Sequence, residues 1–411
     1  KPYRGVFVGV LPDSELIANT PIEWSGTRWT ELMWPLTGEV ARRHATLAHE
    51  MFHRIQPSVG MIRPEGGNQH LDTLEGRWLL QLEWRALAKA LTATTADARR
   101  VAAADAVLFR RERYRLFPDA AAEEGALEID EGVPEYTGVR LGLETPAART
   151  AYAVQDLSAF VAAPTFVRSF AYATGPAYGQ LLDLAGPSWF DQARAGRRFD
   201  QMLAAAMRLP EPDFATLKAR AAVYDDGTLR DTAVPRAAER LTRLAALKAR
   251  LVDGPVLTLP GHHMNYQFNP QTLVPLGTGG TVYPSMRLGD DWGVLEVDHG
   301  GALLDKGMTV AAVSAAGIDP SHLKGDGWTL VLKPGWTVQP GARAGDQIAR
   351  DHVDPRRGEV AANPHRRLPG EQAELLAVGA EGEGDRLVFE AEPAAPEHDV
   401  LLRADQDRIG R

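Results

Sequence analysis

One segment of the 411-residue chain combines residue types and a spacing that can do chemistry. Residues 46–55 contain the pattern His-Glu-x-x-His. Positions i and i+4 lie one above the other on a helix, so His49 and His53 can direct two imidazoles at one metal ion. Glu50 lies beside them, where its carboxylate can take a proton from a water that the metal has acidified. Because only roughly 0.02 chance matches to this pattern are expected in such a chain, we predict a zinc site.

A zinc ion needs a third protein ligand and an open position for water. Residues 54–58 contain no further histidine, so we expect a glutamate, and two candidates remain open. Glu75 follows His53 after 21 residues, but it can equally be a solvated or salt-bridged helix carboxylate. Glu131 lies farther along the chain and is the candidate that we favour.

The segment around Glu131 offers a second useful carboxylate. If Asp130 caps a helix, Pro134 falls in the first turn, where its missing N–H costs little. Glu131 and Glu135 then share one face of that helix. One can bind the metal while Glu135 accepts the spare N–H of a ligating histidine.

Taken together, these motifs resemble those of the gluzincin metallopeptidases, the thermolysin-like and aminopeptidase-like branch of the zincins. The resemblance covers about residues 20–190 and rests on His-Glu-x-x-His followed by Glu-Gly-x-x-Glu-Tyr. In that branch the glutamate of the Glu-Gly pair is the third zinc ligand, which implies this role for Glu131. A Tyr-x-x-Gly step within residues 169–178 is similar to the helix whose tyrosine stabilises the oxyanion. The likeness implies that role for Tyr172, with Tyr136 and Tyr178 as alternatives.

Three departures from the gluzincin pattern stand out. The Gly-x-Met-Glu-Asn element that binds a free amino terminus in aminopeptidases is absent from the sequence. Pro134 replaces a usually small residue. The 77 residues between His53 and Glu131 exceed the aminopeptidase spacing and imply an inserted helical hairpin at about residues 71–117.

The elements that must position these residues are predicted from periodicity. Apolar residues at steps of four or seven predict an amphipathic helix that starts after Pro35 and ends at Pro57. Residues 1–35 are expected to be extended, and a strand within 17–24 could pair with a peptide substrate. Further predicted helices span about 71–117, 147–172, 197–207 and 235–252.

The composition of the sequence changes near Asp253. Gly and Pro become frequent, and short β-prone runs appear, namely 256–259, 294–297, 308–313, 328–332 and 386–389. Residues 341–370 read as a long polar loop. We therefore predict an α+β protein, with a mainly helical zincin-like domain at 1–252 that includes a small N-terminal sheet. A β-rich domain without an assigned role follows at 253–411.

Composition excludes several other classes. The chain has 45 Lys and Arg against 54 Asp and Glu, and this acidic balance argues against a general nucleic-acid binder. It has no cysteine, so disulfides, thiolate metal sites and cysteine nucleophiles are excluded. The sequence has no run of about 18 apolar residues, so it predicts no transmembrane segment.

The sequence thus favours zinc-dependent hydrolysis of peptide bonds in a peptide or protein substrate, with Glu50 as general base. The alternatives are a non-catalytic zincin-fold binding module and a latent peptidase whose C-terminal domain restricts access to the cleft. Glu50 argues against the former, because a structural zinc site needs no base. The start at Lys1, together with the resemblance, favours a secreted or periplasmic protein, with a cytoplasmic location as the alternative.

Overall fold

The chain is α+β, as predicted. The computed structural model describes residues 2–3, 6–7, 18–63, 67–184, 186, 189–269, 272–319 and 321–352. Of these residues, helix accounts for 51% and strand for 18%, with the helices towards the N-terminus and the sheets towards the C-terminus. Contacts divide the described residues into two compact units. One contains the described residues from 18 to 237, and the other contains those from 238 to 352 together with 2–3 and 6–7.

Eleven α-helices occur within the described residues. They are α1 Val40–Ile55, α2 Leu74–Thr92, α3 Ala96–Leu116, α4 Ala120–Leu127, α5 Val133–Gly142, α6 Pro146–Ala159, α7 Ser169–Asp183, α8 Trp189–Arg194, α9 Phe199–Ala206, α10 Leu217–Ala221 and α11 Thr228–Lys248. Turns of π-helix follow α4 at Glu128–Gly132 and α11 at Ala249–Asp253. Short 3₁₀ turns lie at Gln69–Asp72, Phe160–Ala162, Phe214–Thr216 and Gly277–Gly279.

The predicted helical hairpin is present as α2 and α3. Thr73 and Thr95 occupy the N-cap positions, and each hydroxyl accepts a hydrogen bond from the backbone N–H three residues later. The two helices pack along each other and supply much of the core of the helical unit, including Leu80, Trp84 and Phe109. These three side chains are fully buried, so the hairpin belongs to the core of its unit.

The expectation that Asp130 caps a helix is wrong. Asp130 lies inside a continuous helical rod that runs from α4 through the π turn into α5. The N–H of Val133 bonds to the carbonyl of Glu128, five residues earlier, and Pro134 has no N–H to offer. The helical segment therefore accommodates Pro134 through a π turn and continues without a break.

The helix predicted around 147–172 is present as two separate helices. The chain forms α6, leaves the helix after Ala162 and starts α7 at Ser169, so Tyr172 belongs to the later helix. Pro164 lies in the connection, where it cannot donate to a helical hydrogen bond.

Glycines let three helical segments approach closely. A Cβ on Gly138 of α5 would lie 2.4 Å from the carbonyl oxygen of Ala45 in α1. A Cβ on Gly175 of α7 would lie 2.1 Å from the carbonyl oxygen of Gly132 in the π turn. The glycines of the Glu-Gly and Tyr-x-x-Gly motifs thus touch each other, and α5 lies directly against α1.

The strands before α1 form two hairpins. They are β1 Pro2–Tyr3 with β2 Val6–Phe7, and β3 Thr20–Trp24 with β4 Thr27–Glu31. Both pairs are antiparallel. The segment expected to be extended therefore contains four strands among its described residues, and β3 lies within the range expected to meet a substrate.

Twelve further strands occur among the described residues of the β-rich unit. They are β5 Val256–Pro260, β6 Asn265–Phe268, β7 Val274–Pro275, β8 Thr281–Tyr283, β9 Met286–Asp290, β10 Gly293–Val297, β11 Ala302–Leu304, β12 Val310–Ser314, β13 Lys324–Gly325, β14 Trp328–Leu332, β15 Trp336–Pro340 and β16 Gln347–Asp351. One sheet has the order β13-β14-β10-β9-β6, and the other has the order β15-β16-β5-β12-β11-β8-β7. Only the β16–β5 pair is parallel among these described strands.

Side chains from both sheets share one apolar core. Leu257 and Val313 from one sheet and Leu295 and Trp328 from the other belong to the same buried cluster, together with Trp292. In β9 and β10, buried residues alternate with partly exposed ones, as expected for strands with one face on a core.

The predicted long polar loop at 341–370 is wrong for its first part. Residues 347–351 form β16, which pairs with β15 and β5, because backbone pairing between distant segments overrides a polar composition. Residues 353–370 and the strand predicted at 386–389 lie outside the described residues. Across the described part of the chain, no helix combines the length and apolar character that a membrane span requires.

Candidate metal centre

Helix α1 presents the His-Glu-x-x-His pattern to the interior of the helical unit. His49 and Glu50 are buried and His53 is largely buried. Of the apolar residues that predicted this helix, Val40, Met51 and Ile55 are exposed, with Met51 at 59%, whereas Leu47 is partly buried. The buried face is set by α5, which crosses at Ala45 and at the Cβ of His49.

Three side chains converge to form a buried group that could hold a metal ion: His49, His53 and Glu131. The Nε2 atoms of the two histidines are 2.9 Å apart. The Oε2 atom of Glu131 is 3.6 Å from Nε2 of His49 and 3.4 Å from Nε2 of His53. Ligand atoms on a tetrahedral zinc ion lie roughly 3.3 Å apart, so the three observed separations bracket what zinc requires.

The imidazole tautomers also suit a cation. Nδ1 of His49 lies 2.7 Å from Oε2 of Glu135, and Nδ1 of His53 lies 2.6 Å from Oε1 of Gln56. Both partners accept hydrogen bonds, so each Nδ1 carries a proton, and when the ring is neutral its lone pair lies on Nε2, where a metal could bind. Glu135 therefore contacts a histidine of the group that could hold a metal, as its position four residues after Glu131 suggested.

Helix α7 holds the carboxylate of Glu131 from the other side. Arg168 donates to Oε1 at 2.7 Å, and the hydroxyl of Tyr172 donates to Oε2 at 2.7 Å. The ring of Tyr172 also stacks on that of His49, with centroids 5.6 Å apart. Arg168 fixes one oxygen, which leaves Oε2 to face the two histidines, and the Tyr172 hydroxyl points at this same oxygen.

Glu50 differs from the other carboxylates of the centre in its hydrogen bonding. Its Oε2 atom is buried and has no hydrogen-bond partner. Burial raises the pKa of Glu50 above its usual 4.5, and the adjacent His49 and His53 act in the opposite direction. A buried carboxylate with an unused lone pair is suited to accept a proton.

The protein groups of the centre are strongly coupled electrostatically. Burial by itself would lower the pKa of His49, but hydrogen bonds to Glu131 and Glu135 raise it to about 10. Burial opposes the charge on Glu131 as well, yet hydrogen bonds from the histidines hold its pKa well below 4.5. Burial raises the pKa of Tyr172 well above 10, so its hydroxyl stays a donor at neutral pH. Because ligating imidazoles must be neutral, a cation competes with a proton for His49.

Several predicted candidates lie elsewhere. The carboxylate of Glu75 is about half exposed and lies 3.8 Å from Arg230, outside the metal-binding group. The hydroxyl of Tyr136 donates to Asp183, and that of Tyr178 donates to buried Glu83. Of the three tyrosines, only Tyr172 donates to a residue of the metal-binding group.

A second group of possible ligands lies in the β-rich unit, near the paired histidines at 262 and 263. It consists of His262, Asp290 and Asp291. The buried carboxylate of Asp290 accepts the backbone N–H groups of His262 and His263, so it shapes this loop. His299 is exposed and lies 3.4 Å from Asp326.

Sequence reasoning missed two residues of the centre, Gln56 and Arg168. Gln56 lies three residues after His53, which places both on one side of the helix end. Arg168 lies four residues before Tyr172 and reaches the same carboxylate. Helical spacing from a predicted site residue was therefore the available signal in both cases.

Comparisons of the whole chain with protein-family models, curated proteins and solved structures give no match.

Proposed function

We propose that the protein is a zinc-dependent hydrolase of peptide bonds. The observation that carries the proposal is the joint placement of a buried His49–His53–Glu131 group and the buried carboxylate of Glu50. A site that only binds metal does not need an acidic side chain between its two histidines. An unpartnered carboxylate oxygen in such a place has a chemical use as a base.

The donor set favours zinc among the common metals. Two imidazole nitrogens and one carboxylate oxygen are the ligands of many catalytic zinc sites, which keep a fourth position open. Calcium and magnesium prefer sets of oxygen ligands, which this group does not offer. When bound here, zinc would acidify a water molecule and polarise the carbonyl of the bond to be cleaved.

The protein's own residues would then move the protons. Oε2 of Glu50 accepts a proton from the attacking water and later returns it to the leaving amine. The hydroxyl of Tyr172 donates a hydrogen bond to the oxygen that gains negative charge as the carbonyl is attacked. Arg168 keeps Glu131 in place during this step, because it binds the other carboxylate oxygen.

An extended peptide is the substrate that the surrounding strands favour. Strands β3 and β4 pair with each other, and among the described residues no third strand joins them. Their outer edges therefore offer backbone groups to which an extended chain can bond. Strand β3 or β4 would hold the peptide while the centre cleaves it.

The test measures zinc content and casein hydrolysis of the full chain and of Glu50→Gln. We expect the variant to keep about one zinc per chain and to lose activity by roughly 10²–10⁴-fold, the contribution of a general base. Glu75→Gln is the matched control, because its half-exposed carboxylate lies outside the group. It should keep both zinc and activity.

Four results would count against the proposal or against one of its residue assignments. A chain without zinc would remove its basis, and full activity in Glu50→Gln would remove the assigned base. Zinc without hydrolysis of casein or of a peptide library would favour the non-catalytic binding module. Loss of zinc in Glu75→Gln would transfer the ligand role to that residue.

A further inference from the structure

Gln56 connects the two halves of the metal centre. Its side chain is almost completely buried, at 3% exposed, and it lies at the C-cap of α1. Oε1 accepts from Nδ1 of His53 at 2.6 Å. Nε2 donates to the carbonyls of Met61 and Asp130, each at 3.0 Å. One amide thus touches a histidine ligand on α1 and the backbone of the π turn that carries Glu131.

The backbone around Pro134 explains why an amide lies there. Pro134 has no N–H to give to the carbonyls of Ile129 and Asp130, and the N–H of Val133 is used by Glu128. Both carbonyls lie within reach of Nε2 of Gln56, at 3.3 Å and 3.0 Å. The amide N–H groups therefore compensate for the one backbone donor that the proline lacks.

The contacts fix the orientation of the amide. Only nitrogen can face the carbonyl oxygens, because an oxygen there would meet acceptors alone. The amide oxygen must then face His53, which fixes the proton on Nδ1 and leaves Nε2 for the metal. A carboxylate at position 56 could still accept from His53, but it could not donate to the π turn.

Building on the proposed zinc site, we propose that Gln56 is a positioning residue that couples the His53 ligand to the π turn bearing the Glu131 ligand. The N–H groups of the amide are as important for this coupling as its oxygen. Each histidine thus has a different kind of partner: Glu135 supplies only an acceptor to His49, whereas Gln56 supplies an acceptor to His53 and donors to Met61 and Asp130.

The variant Gln56→Glu, which replaces the amide by a carboxylate, distinguishes this coupling from a role in which Gln56 only orients His53. Gln56→Glu gives His53 a charged acceptor, which by itself strengthens a ligating imidazole. It also places an anion against the Met61 and Asp130 carbonyls. We expect zinc affinity, measured by competition with a chelator, to fall at least about tenfold, in the range typical for partners of metal ligands.

Glu135→Gln is the matched control for this exchange. Its amide oxygen still accepts from His49, and among the described residues the one other polar contact of the Glu135 side chain is a long one of 3.5 Å from the hydroxyl of Tyr152. We expect a smaller loss of affinity than in Gln56→Glu. The absorption spectrum of the cobalt-loaded protein should shift in Gln56→Glu, since the position of a ligand changes.

Pro134→Ala tests the same coupling from the other partner. Alanine restores an N–H that can bond to the carbonyl of Asp130, and alanine is favourable inside a helix. We expect the melting temperature of the metal-free protein to hold or rise while zinc affinity falls, a combination that a general packing defect would not give. If Gln56→Glu does not fold, the zinc affinity of Pro134→Ala tests the coupling by itself.

The possible outcomes are distinct. Zinc affinity in Gln56→Glu that is unchanged, tighter or reduced by less than in Glu135→Gln would overturn the coupling while leaving the zinc site intact. If Gln56→Glu does not fold, unchanged affinity in Pro134→Ala would overturn it. A wild-type chain that binds no zinc would instead remove the proposed function, and the coupling with it.

Discussion

Single residues of the metal centre differ in how firmly each is held. Glu131 receives hydrogen bonds on both oxygens, from Arg168 and from Tyr172. His49 and His53 each have an acceptor at Nδ1. Glu50 alone has a buried oxygen with no partner. The residues proposed to hold the cation are thus oriented in advance, whereas the proposed base keeps a free position for a proton.

The role of Tyr172 can be tested by removing one oxygen atom. In Tyr172→Phe, Arg168 still binds Glu131 at Oε1, so the ligand should remain in place. We expect kcat for peptide hydrolysis to fall roughly 10²–10³-fold, with little change in KM, because a donor to the developing oxyanion is lost.

Zinc content distinguishes this role from a purely supporting one. Tyr172→Phe should bind zinc as tightly as the wild type in chelator competition. If zinc affinity falls in parallel with activity, Tyr172 acts through Glu131 and does not contact the reacting carbonyl.

Among the helices, close contacts through glycine decide where the ligands meet. Gly138 brings α5 against the backbone of α1, and Gly175 brings α7 against the π turn. These contacts place Glu135 beside His49 and Tyr172 beside Glu131. Interiors are packed too tightly for an added methyl group to fit without displacement.

The α1–α5 contact gives a prediction for Gly138→Ala. The added Cβ would meet the backbone oxygen of Ala45 at 2.4 Å, and backbone cannot move aside as a flexible side chain can. We expect a loss of about 1–3 kcal/mol in the free energy of unfolding, and weaker zinc binding as Glu135 moves away from His49.

Denaturant unfolding and chelator competition measure the two effects. Gly38→Ala is the control, because a Cβ there meets nothing within 4 Å and its backbone conformation is an ordinary one. A Gly138→Ala protein as stable as this control would show that the crossing of α1 and α5 adapts without cost.

On the scale of the helical unit, a buried network of ion pairs connects elements around the centre. Arg110 of α3 binds Glu83 of α2 and, with two contacts, Glu128 of the π turn. Arg113 binds Glu83 and Glu124, and these five residues are fully buried or nearly so. The π turn is therefore held by charges on one side while Glu131 faces His49 and His53 on the other.

This network predicts how stability depends on pH. Burial opposes the charge of Glu124, but Arg113 and His70 hold its pKa well below the usual 4.5. A lowered pKa in the folded state contributes stability above pH 4.5 that is lost as the pH falls further. Between pH 4.5 and pH 3 this carboxylate should therefore lose about 2 kcal/mol of its contribution.

The variant Glu124→Gln isolates that contribution. At pH 7 we expect it to be less stable by about 3–5 kcal/mol, because the buried Arg113 loses a charged partner. The difference from the wild type should narrow as the pH falls to 3. Glu211→Gln is the control, since this exposed carboxylate pairs with Arg111 at the surface. A difference independent of pH would show that Glu124 does not carry the charge assigned to it.

Local sequence sufficed for the parts of this protein that depend on nearest neighbours along the chain. The helix of His49 and His53, the helical character of the segment that forms α2 and α3, and the α+β division all follow from periodicity and composition. The i, i+4 spacing of the histidines is a property of any helix, so their convergence needed no knowledge of the rest of the fold.

Tertiary structure alone decided what those elements face. The apolar side of α1, with Val40, Met51 and Ile55, predicted the helix, yet these three side chains lie largely exposed. The histidine side is buried, because α5 crosses α1 at Gly138. Periodicity identifies the faces of a helix, whereas contact with a distant segment selects the one that is covered.

The choice of Glu131 over Glu75 had the same origin. Both are helical glutamates, and the sequence left each open as a third ligand. Three features bring Glu131 to the histidines: the π turn just before Pro134, the amide of Gln56 and the approach of α7. These contacts join residues 37 to 86 positions apart, and such distances in sequence have no local pattern by which to be recognised.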